Sequence, residues 1–407
     1  MTRLTVYEHE RLGQAPEGRL TAGQLTALQR FHASSPQRYF DLCYRGIQLL
    51  SYVGVLRVGD LQLEILPKLD RHHAEPFWRD RLLDMLRVVH RLPLAAPTST
   101  QLQTRPHNIL DLYLERYAHE VSKLLRRGLA RRYRTTEQNA TALRGRLLFA
   151  EQLRHNLVHR ERFYTATATY DQEFVHHQIL LQGLKLAVQL TDNPLVSNTL
   201  RASIARFPEL PALRITPAVF DRLPATRATR SYGPALSIAR LLLLNYHPDL
   251  VGGREHLMAL LFDMNALWER FLTVALQRYL PDYEVAAQPR KAYWQSDRHT
   301  ATLQPDIVLR RHKQIIVLDA KWKELSGGQP GAQDLRQLYA YALQFGAEKA
   351  ALLLPGARPR VRGEFGEGHA DSMIGREGSV LYVPLGGVGE AWLRDIAARI
   401  YAWIAGK

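Results

Sequence analysis

Two stretches of the chain carry residue types that could do chemistry together: Leu303-Gln304-Pro305-Asp306-Ile307-Val308-Leu309 and Ile315-Ile316-Val317-Leu318-Asp319-Ala320-Lys321-Trp322, joined by a short polar turn at Arg310 to Lys313. Four consecutive apolar residues before Asp319 mark a strand buried on both faces. Side chains alternate along a strand, so Asp319 and Lys321 point to one side and Ala320 to the other. Charges buried at the end of a central strand are costly unless they are paired or hold a cation. Asp306, 13 positions before Asp319, lies across the expected hairpin and brings a second carboxylate to the same place. Two hard oxygen ligands on rigid strands suit Mg²⁺, with waters and a substrate phosphate completing its shell. A lysine beside them can orient or help deprotonate an attacking water and offset phosphate charge. The reaction implied is metal-assisted hydrolysis of a phosphodiester. The plain alternative is a surface hairpin with a solvated Asp/Lys pair.

Several elements must hold this pair in place. A helix is expected from near Glu255 to Tyr279, with strands at Tyr283 to Ala286, Thr300 to Leu309 and Gln314 to Trp322. A helix at Ala332 to Gln344, strands at Ala350 to Leu354 and Val380 to Val383, and a closing helix at Glu390 to Ile404 follow. The loop from Gly356 to Gly378 is expected to be mobile. Gln337 and Tyr341 are four apart, on one helix face, and could reach nucleic acid or a metal ligand. Glu269, on the preceding helix, could supply another carboxylate. Taken singly, Glu269 reads as a solvated helix charge and Tyr341 as a core aromatic.

The rest of the chain divides by pattern. Residues 1–100 read as a mixed, β-rich domain. Val53, Val55 and Val58 lead to a turn at Gly59-Asp60, and Leu61, Leu63 and Ile65 alternate with Gln62 and Glu64 until Pro67. Helical spacing runs from Phe77 to Leu92, and Pro93, Pro97 and the run to Thr100 look like a domain edge. Residues 101–254 read as a helical region, and 255–407 as an α/β domain.

Of 407 residues, 54 are Lys or Arg and 39 Asp or Glu, a net charge of +15. From Arg116 to Arg162 twelve basic residues face four acidic ones, so about half the excess sits in under an eighth of the length. Such clustering favours a polyanion partner over a surface kept basic for solubility. Tyr133, Phe163 and Tyr164 lie among these charges and could stack on bases, although core packing suits each as well. Arg126, Arg127, Arg131, Arg132, Arg144 and Arg146 are the candidate DNA contacts. One cysteine, Cys43, permits neither an internal disulfide nor a cysteine-based zinc site, and no apolar run approaches the ~20 residues of a membrane span. A cytoplasmic protein is expected.

Other signals lack their completing residues. No G-x-x-x-x-G-K-[ST] segment occurs, so nucleotide dependence would come from a partner. Gly387-Val388-Gly389 lacks the third glycine of a dinucleotide site. His155 and His159 have zinc-like spacing, but Asn156 stands where Glu is required. His72-His73 and His176-His177 read as surface or capping residues.

The Pro-Asp, Asp-Ala-Lys and Gln-x-x-x-Tyr elements, in this order, resemble the PD-(D/E)xK nuclease superfamily, in its RecB-like branch. Val53 to Gly59 with Glu64-Ile65-Leu66-Pro67-Lys68, the Leu143 to Leu147 segment, and Phe262-Asp263-Met264-Asn265 leading to Trp268-Glu269 look like McrC, the nuclease subunit family of McrBC modification-dependent restriction systems. The family more often has Phe at the position of Trp268. The resemblance implies a restriction-endonuclease-like C-terminal α/β domain that cuts double-stranded, methylated DNA. It implies an AAA+ GTPase partner, McrB, that binds the GTP and translocates, and an N-terminal region that docks on it and stimulates its GTPase. Two other functions remain: a catalytically silent adaptor that grips DNA and activates the motor, and a nuclease for RNA, for which no binding module is visible.

Overall fold

The computed structural model describes residues 2–16, 18–69, 73–90, 109–224, 226–247, 257–325, 329–365 and 377–406. The chain forms two compact units: residues 110–248, and residues 1–109 together with 249–407.

The first segment of the discontinuous unit runs β1 (Thr2–Tyr7), β2 (Arg11–Gly13), α1 (Ala22–Ser34), β3 (Phe40–Cys43), β4 (Gly46–Leu49), β5 (Tyr52–Val58), β6 (Leu61–Leu66) and α2 (Glu75–Val89). Gly59, at φ 59°, makes the expected tight turn between β5 and β6. Leu56, Val58, Leu61, Leu63 and Ile65 pack on one side with Leu25, Leu28 and Phe31 of α1. The alternating polar residues are not solvated, because the other side is covered too. Gln62 and Glu64 are buried, and Glu64 takes two hydrogen bonds from Arg79 of α2, the shorter 2.7 Å. That matches the rule that buried carboxylates are paired.

The second unit was expected to be helical. It contains α3 (Ile109–Arg127), β7 (Arg132–Ala140), β8 (Arg146–Leu147), α4 (Phe149–Asn156), β9 (Phe163–Asp171), α5 (Val175–Leu190), α6 (Pro194–Ile204), α7 (Pro217–Asp221), α8 (Gly233–Leu244) and β10 (Tyr246–His247). β7, β9 and β8 form an antiparallel sheet in that order, so part of the basic stretch, Arg132–Ala140 and Arg146–Leu147, is strand rather than helix. The Thr-Ala-Thr-Ala-Thr run of β9 has the period of two and the β-branched content that favour this. Helices α5, α6 and α8 pack on one another in the remainder. His176 and His177, expected at the surface, are buried, and the ring nitrogens of His177 meet the Gln172 carbonyl (2.7 Å) and the Tyr232 hydroxyl (2.9 Å). His155 and His159 lie beside Glu151 and Glu161 as exposed pairs.

The chain then returns to the first unit with β11 (Leu257–Asp263) and α9 (Met264–Tyr279). The expected helix from Glu255 therefore begins nine residues later. Its start is set by Asp263, whose side chain accepts from the N–H groups of Asn265 (2.9 Å) and Ala266 (3.1 Å). β11 pairs antiparallel with β5, giving the order β1-β6-β5-β11. The boundary expected near 254 thus separates two strands that are neighbours in one sheet. Gly54 allows the pairing: a Cβ there would sit 2.1 Å from the Leu260 carbonyl oxygen, and its φ is +134°.

The remaining elements are β12 (Glu284–Ala287), β13 (Lys291–Gln295), β14 (Thr300–Leu303), β15 (Ile307–Arg311), β16 (Gln314–Ala320), α10 (Ala332–Phe345), β17 (Lys349–Pro355), β18 (Val361–Glu364), β19 (Glu377–Val383) and α11 (Gly389–Ile404). The expected strand from Thr300 to Leu309 is split at Pro305, which has no N–H for a ladder. A sheet of order β12-β15-β16-β17-β19-β18 places β16 in its interior. Val308, Val317, Leu352 and Val380 pack under Leu338, Ala342 and Phe345 of α10, and α9 and α11 pack together and on the sheet. In the loop expected from Gly356 to Gly378, Val361–Glu364 is a strand paired with β19. Residues 366–376 of that loop, like Pro93, Pro97 and Thr100 of the expected domain edge, lie outside the described residues.

Gly54→Ala should destabilise this unit by about 2–4 kcal/mol, from the backbone collision and the φ strain together. Urea melts of the variant check it, and a shift under ~0.5 kcal/mol would contradict the close approach.

Candidate active site

β15 and β16 form a hairpin with Ile307 opposite Leu318, which sets Asp306 at the level of Asp319. The Ala320 N–H donates to Asp306 Oδ2 at 2.7 Å, and Lys321 Nζ stands 3.1 Å from Asp319 Oδ2. Asp319 is 1% exposed, and neither of its oxygens has an aligned hydrogen bond; the lysine contact is an ion pair without that alignment. The Lys321 N–H continues the ladder by donating to the Leu353 carbonyl of β17 (3.0 Å).

The other sequence-derived candidates meet at the same end of the sheet. In α10, Gln337 Nε2 donates to the Tyr341 hydroxyl (2.7 Å), and that hydroxyl donates to the Gln304 carbonyl (3.1 Å), two residues before Asp306. The charge of Asp319 bears on both Tyr341 and Glu269. Glu269, in α9, is half-buried rather than solvated, and Tyr341 is buried, as a core aromatic would be.

Electrostatics follow from crowding. Burial first, then the Asp319 charge, hold the Asp306 carboxyl above the usual carboxylate range. Burial lifts Asp319, against the pull of Lys321. Burial also raises Glu269, offset in part by a hydrogen bond with Gln288, with the Asp319 charge adding to the rise. Burial lowers Lys321, but Asp319 and Asp306 outweigh it and its pKa is raised. Lys321 is therefore an ammonium that neutralises charge, rather than a base.

Three contributors carried no sequence signal. Gln288 is in the left-handed region at φ 47°, and its N–H donates to the Asp306 carbonyl (2.8 Å) while its side chain meets Glu269. Lys323 and Asp334 pair at 2.6 Å beside the cluster. Glu8 is buried next to β1, and its Oε1 accepts from Trp322 Nε1 (2.8 Å) and the Lys68 N–H (3.0 Å); burial moves its pKa to about 7. Nothing local in the sequence pairs residues 314 apart.

A cation fits this donor set. Asp319 offers two buried oxygens without aligned donors, and Asp306 has one oxygen beyond its bond to Ala320. Carboxylate oxygens are donors for a hard ion such as Mg²⁺; among the described residues no group of three or more His, Cys, Asp and Glu is arranged to hold a metal. A cavity of ≈ 360 Å³, lined by Tyr279, Tyr283, Arg394 and Tyr401 among others, contains none of these residues.

The six candidate arginines lie in the other unit. Arg126 and Arg127 end α3, Arg131 and Arg132 open β7, and Arg144 and Arg146 flank Gly145 before β9. All six are exposed. Arg134, between them, is tied to Asp171 (3.1 Å) and Glu173 (2.7 Å). Tyr133 is exposed and lies 4.8 Å, ring to ring, from Tyr170.

Fold and site together define an α/β protein in which a buried and a half-buried carboxylate meet a lysine at one end of two neighbouring strands. The chain belongs to the McrBC 5-methylcytosine restriction system component family, which matches residues 47–355. The "Type IV methyl-directed restriction enzyme EcoKMcrBC" of Escherichia coli (strain K12) is 21% identical over 253 residues, 58% of this chain and 71% of that protein. A chain from the refined half-complex of the tetradecameric assembly of Thermococcus gammatolerans McrB AAA+ hexamers with bound McrC is similar in fold, with a TM-score of 0.72, 19% identity and coverage of 99% of this chain and 100% of that one. A chain of the cryo-EM Thermococcus gammatolerans McrBC complex is similar over 70% of this chain and 89% of its own length, with a TM-score of 0.52 and 20% identity. Among the described residues no helix is long and apolar enough to cross a membrane.

Asp306→Asn should raise stability by about 1–3 kcal/mol at pH 8 in metal-free buffer, by relieving carboxylate crowding. A carboxyl whose folded pKa is raised costs stability above that value. The gain should therefore shrink as pH falls through the folded pKa and vanish below the ordinary carboxylate range. Melting temperatures of both proteins from pH 4 to 8 check this; a gain independent of pH would refute it.

Proposed function

We propose that this chain is a Mg²⁺-dependent DNA endonuclease subunit of an McrBC-like type IV restriction system. In this reading residues 255–407 form its PD-(D/E)xK nuclease domain, and residues 1–100 dock on an AAA+ GTPase partner. The chain cuts modified double-stranded DNA with that partner, which binds the GTP and whose GTPase it stimulates. The observation that carries the reading is the convergence of Asp306, Asp319 and Lys321 at one end of the central sheet, two carboxylates and an ammonium within reach of one phosphate. Membership in the McrBC family and the likeness in fold to a chain of an McrB–McrC assembly support the restriction role.

Asp306 and Asp319 would hold the metal, which when bound stabilises charge developing on a phosphoryl oxygen and acidifies bound water. Lys321, kept protonated by its two acidic neighbours, offsets charge on the phosphate and orients the incoming water. Glu269, half-buried and within the field of Asp319, would take a proton from that water. Gln337 and Tyr341 hold the Gln304 carbonyl and so the turn that presents Asp306. The exposed arginines 126, 127, 131, 132, 144 and 146 would meet DNA phosphates from the other unit.

Asp306→Ala, Asp319→Ala and Lys321→Ala should each reduce cleavage of methylated plasmid, with Mg²⁺ and the partner, by ~10³-fold or more while DNA binding persists. Wild-type cutting by Asp319→Ala would sink the assignment. Partner GTPase stimulation by the wild-type chain with no metal-dependent cutting would select the silent adaptor instead.

Charge reversal of Arg126, Arg127, Arg131 and Arg132 should weaken DNA binding and flatten its dependence on log salt by roughly 0.9 per lost phosphate contact. An unchanged slope in a salt titration would return this charge to solubility.

A further inference from the structure

Residues 288–306 leave the candidate site and come back to it. Gln288 hydrogen-bonds Asp306 and Glu269 at the start, and Gln304-Pro305-Asp306 closes the excursion. Between them β13 and β14 pair only with each other. A lone two-stranded hairpin is marginal in water, yet this one is braced. Lys291 Nζ donates to the Gln344 carbonyl (2.6 Å), Gln344 Nε2 to the Ala292 carbonyl (2.7 Å) and Arg290 Nε to Gln304 Oε1 (2.9 Å). The arm is thus fixed to α10, the helix that also holds the Asp306 turn.

Its outer surface does not suit a core. Every residue from 291 to 300 is exposed, and the pairing is irregular between Ala292 and Trp294, which leaves Tyr293 as an extra residue. A bulge of this kind re-aims a side chain next to a site. Tyr293 and Trp294 are 57% and 54% exposed. Arg290, Lys291 and Arg298 outnumber the single acid, Asp297. Trp294 pairs with Ala301, five residues from Asp306, so at ~3.3 Å per residue it lies within ~17 Å of the carboxylate along the strand. That is about five steps of a DNA strand at ~3.4 Å each.

We propose that this arm is a DNA-contact element, with Lys291 and Arg298 on backbone phosphates and Trp294 and Tyr293 against sugar and base faces of the flank beside the cut. The inference rests on the reading of Asp306 and Asp319 as the cutting site. Basic charge selects a polyanion, and exposed aromatics beside it supply stacking, the combination that serves nucleic acids of any sequence. Any DNA seated at the carboxylates passes the arm, because the arm begins and ends there.

The test uses the full chain with its partner and a fluorescent methylated duplex, in an Asp319→Ala background that separates binding from cutting. Trp294→Ala and Tyr293→Ala should each weaken binding by about tenfold, the effect of losing one stacked base, while Trp294→Phe retains most of the affinity. Footprints of the Ala variants should lose protection on one side of the cut. Melting temperatures equal to the parent's would show that the fold is kept. Unchanged affinity and footprint in both Ala variants would overturn the proposal, as would loss of partner association with DNA affinity intact. Cutting by Asp319→Ala itself would overturn the cleavage reading, whereas the arm is judged on binding alone.

Discussion

The strongest constraint on the larger unit is that it holds the Asp319 carboxylate almost out of water at the end of an interior strand. An uncompensated charge in such a place is strongly destabilising, so everything near it is arranged to make the position tolerable. Lys321 supplies an opposite charge, the Ala320 N–H engages the neighbouring carboxylate, and β17 secures the backbone of Lys321. The compensation is incomplete. Asp319 lacks aligned donors, Asp306 is pushed up by its neighbour, and Glu269 adds a third acid. A cluster that folds but stays short of positive charge is suited to take up a cation, and functional sites keep such strain where a well-packed core would lose it.

That strain is borne by a unit assembled from both ends of the chain. β11 adds to the N-terminal sheet before α9 carries the chain to the sheet that bears Asp306 and Asp319, and Gly54 is the point at which β5 and β11 can approach. Trp322 directly follows Lys321 and donates to Glu8, while its ring meets Trp268 at 5.3 Å. The segment that follows β16 is therefore fastened to the residue after β1. If residues 1–100 dock on a partner, they do so as part of the body that holds the carboxylates, with no independent domain between.

The site was legible because its chemistry is local in sequence. Asp319 and Lys321 share a strand face, Asp306 lies across a short hairpin, and Gln337 with Tyr341 obeys helical spacing, so period groups the residues within each element while the packing of α10 brings the two groups together. What periodicity could not reveal is what covers a face or caps an end. Leu257 to Phe262 are residues as common in helices as in strands, and only the open edge of β5 and the cap at Asp263 decide between them. Nothing in the alternation of β6 shows that Arg79 of α2 covers Glu64, and nothing near His177, read as a surface or capping residue, shows that Tyr232 meets it. The basic stretch was read by charge, which is indifferent to secondary structure, so its β-sheet passed unseen although β9 alternates Thr with Ala.

Charge location also gains a meaning that net charge lacks. The excess from Arg116 to Arg162 sits in a unit without the carboxylates, on exposed strand and helix ends, where water and salt screen each contact. Contacts of that kind position a polyanion without selecting a point along it. Near the carboxylates the surface is different: a short, braced arm with few charges and two exposed aromatic rings. Stacking is short-ranged and steric, so it locates a strand to within a base step, and metal-assisted attack at a single phosphorus requires that precision. In the proposed function, long-range attraction from one unit and close fixing in the other would divide the work of holding a uniform polymer at one bond.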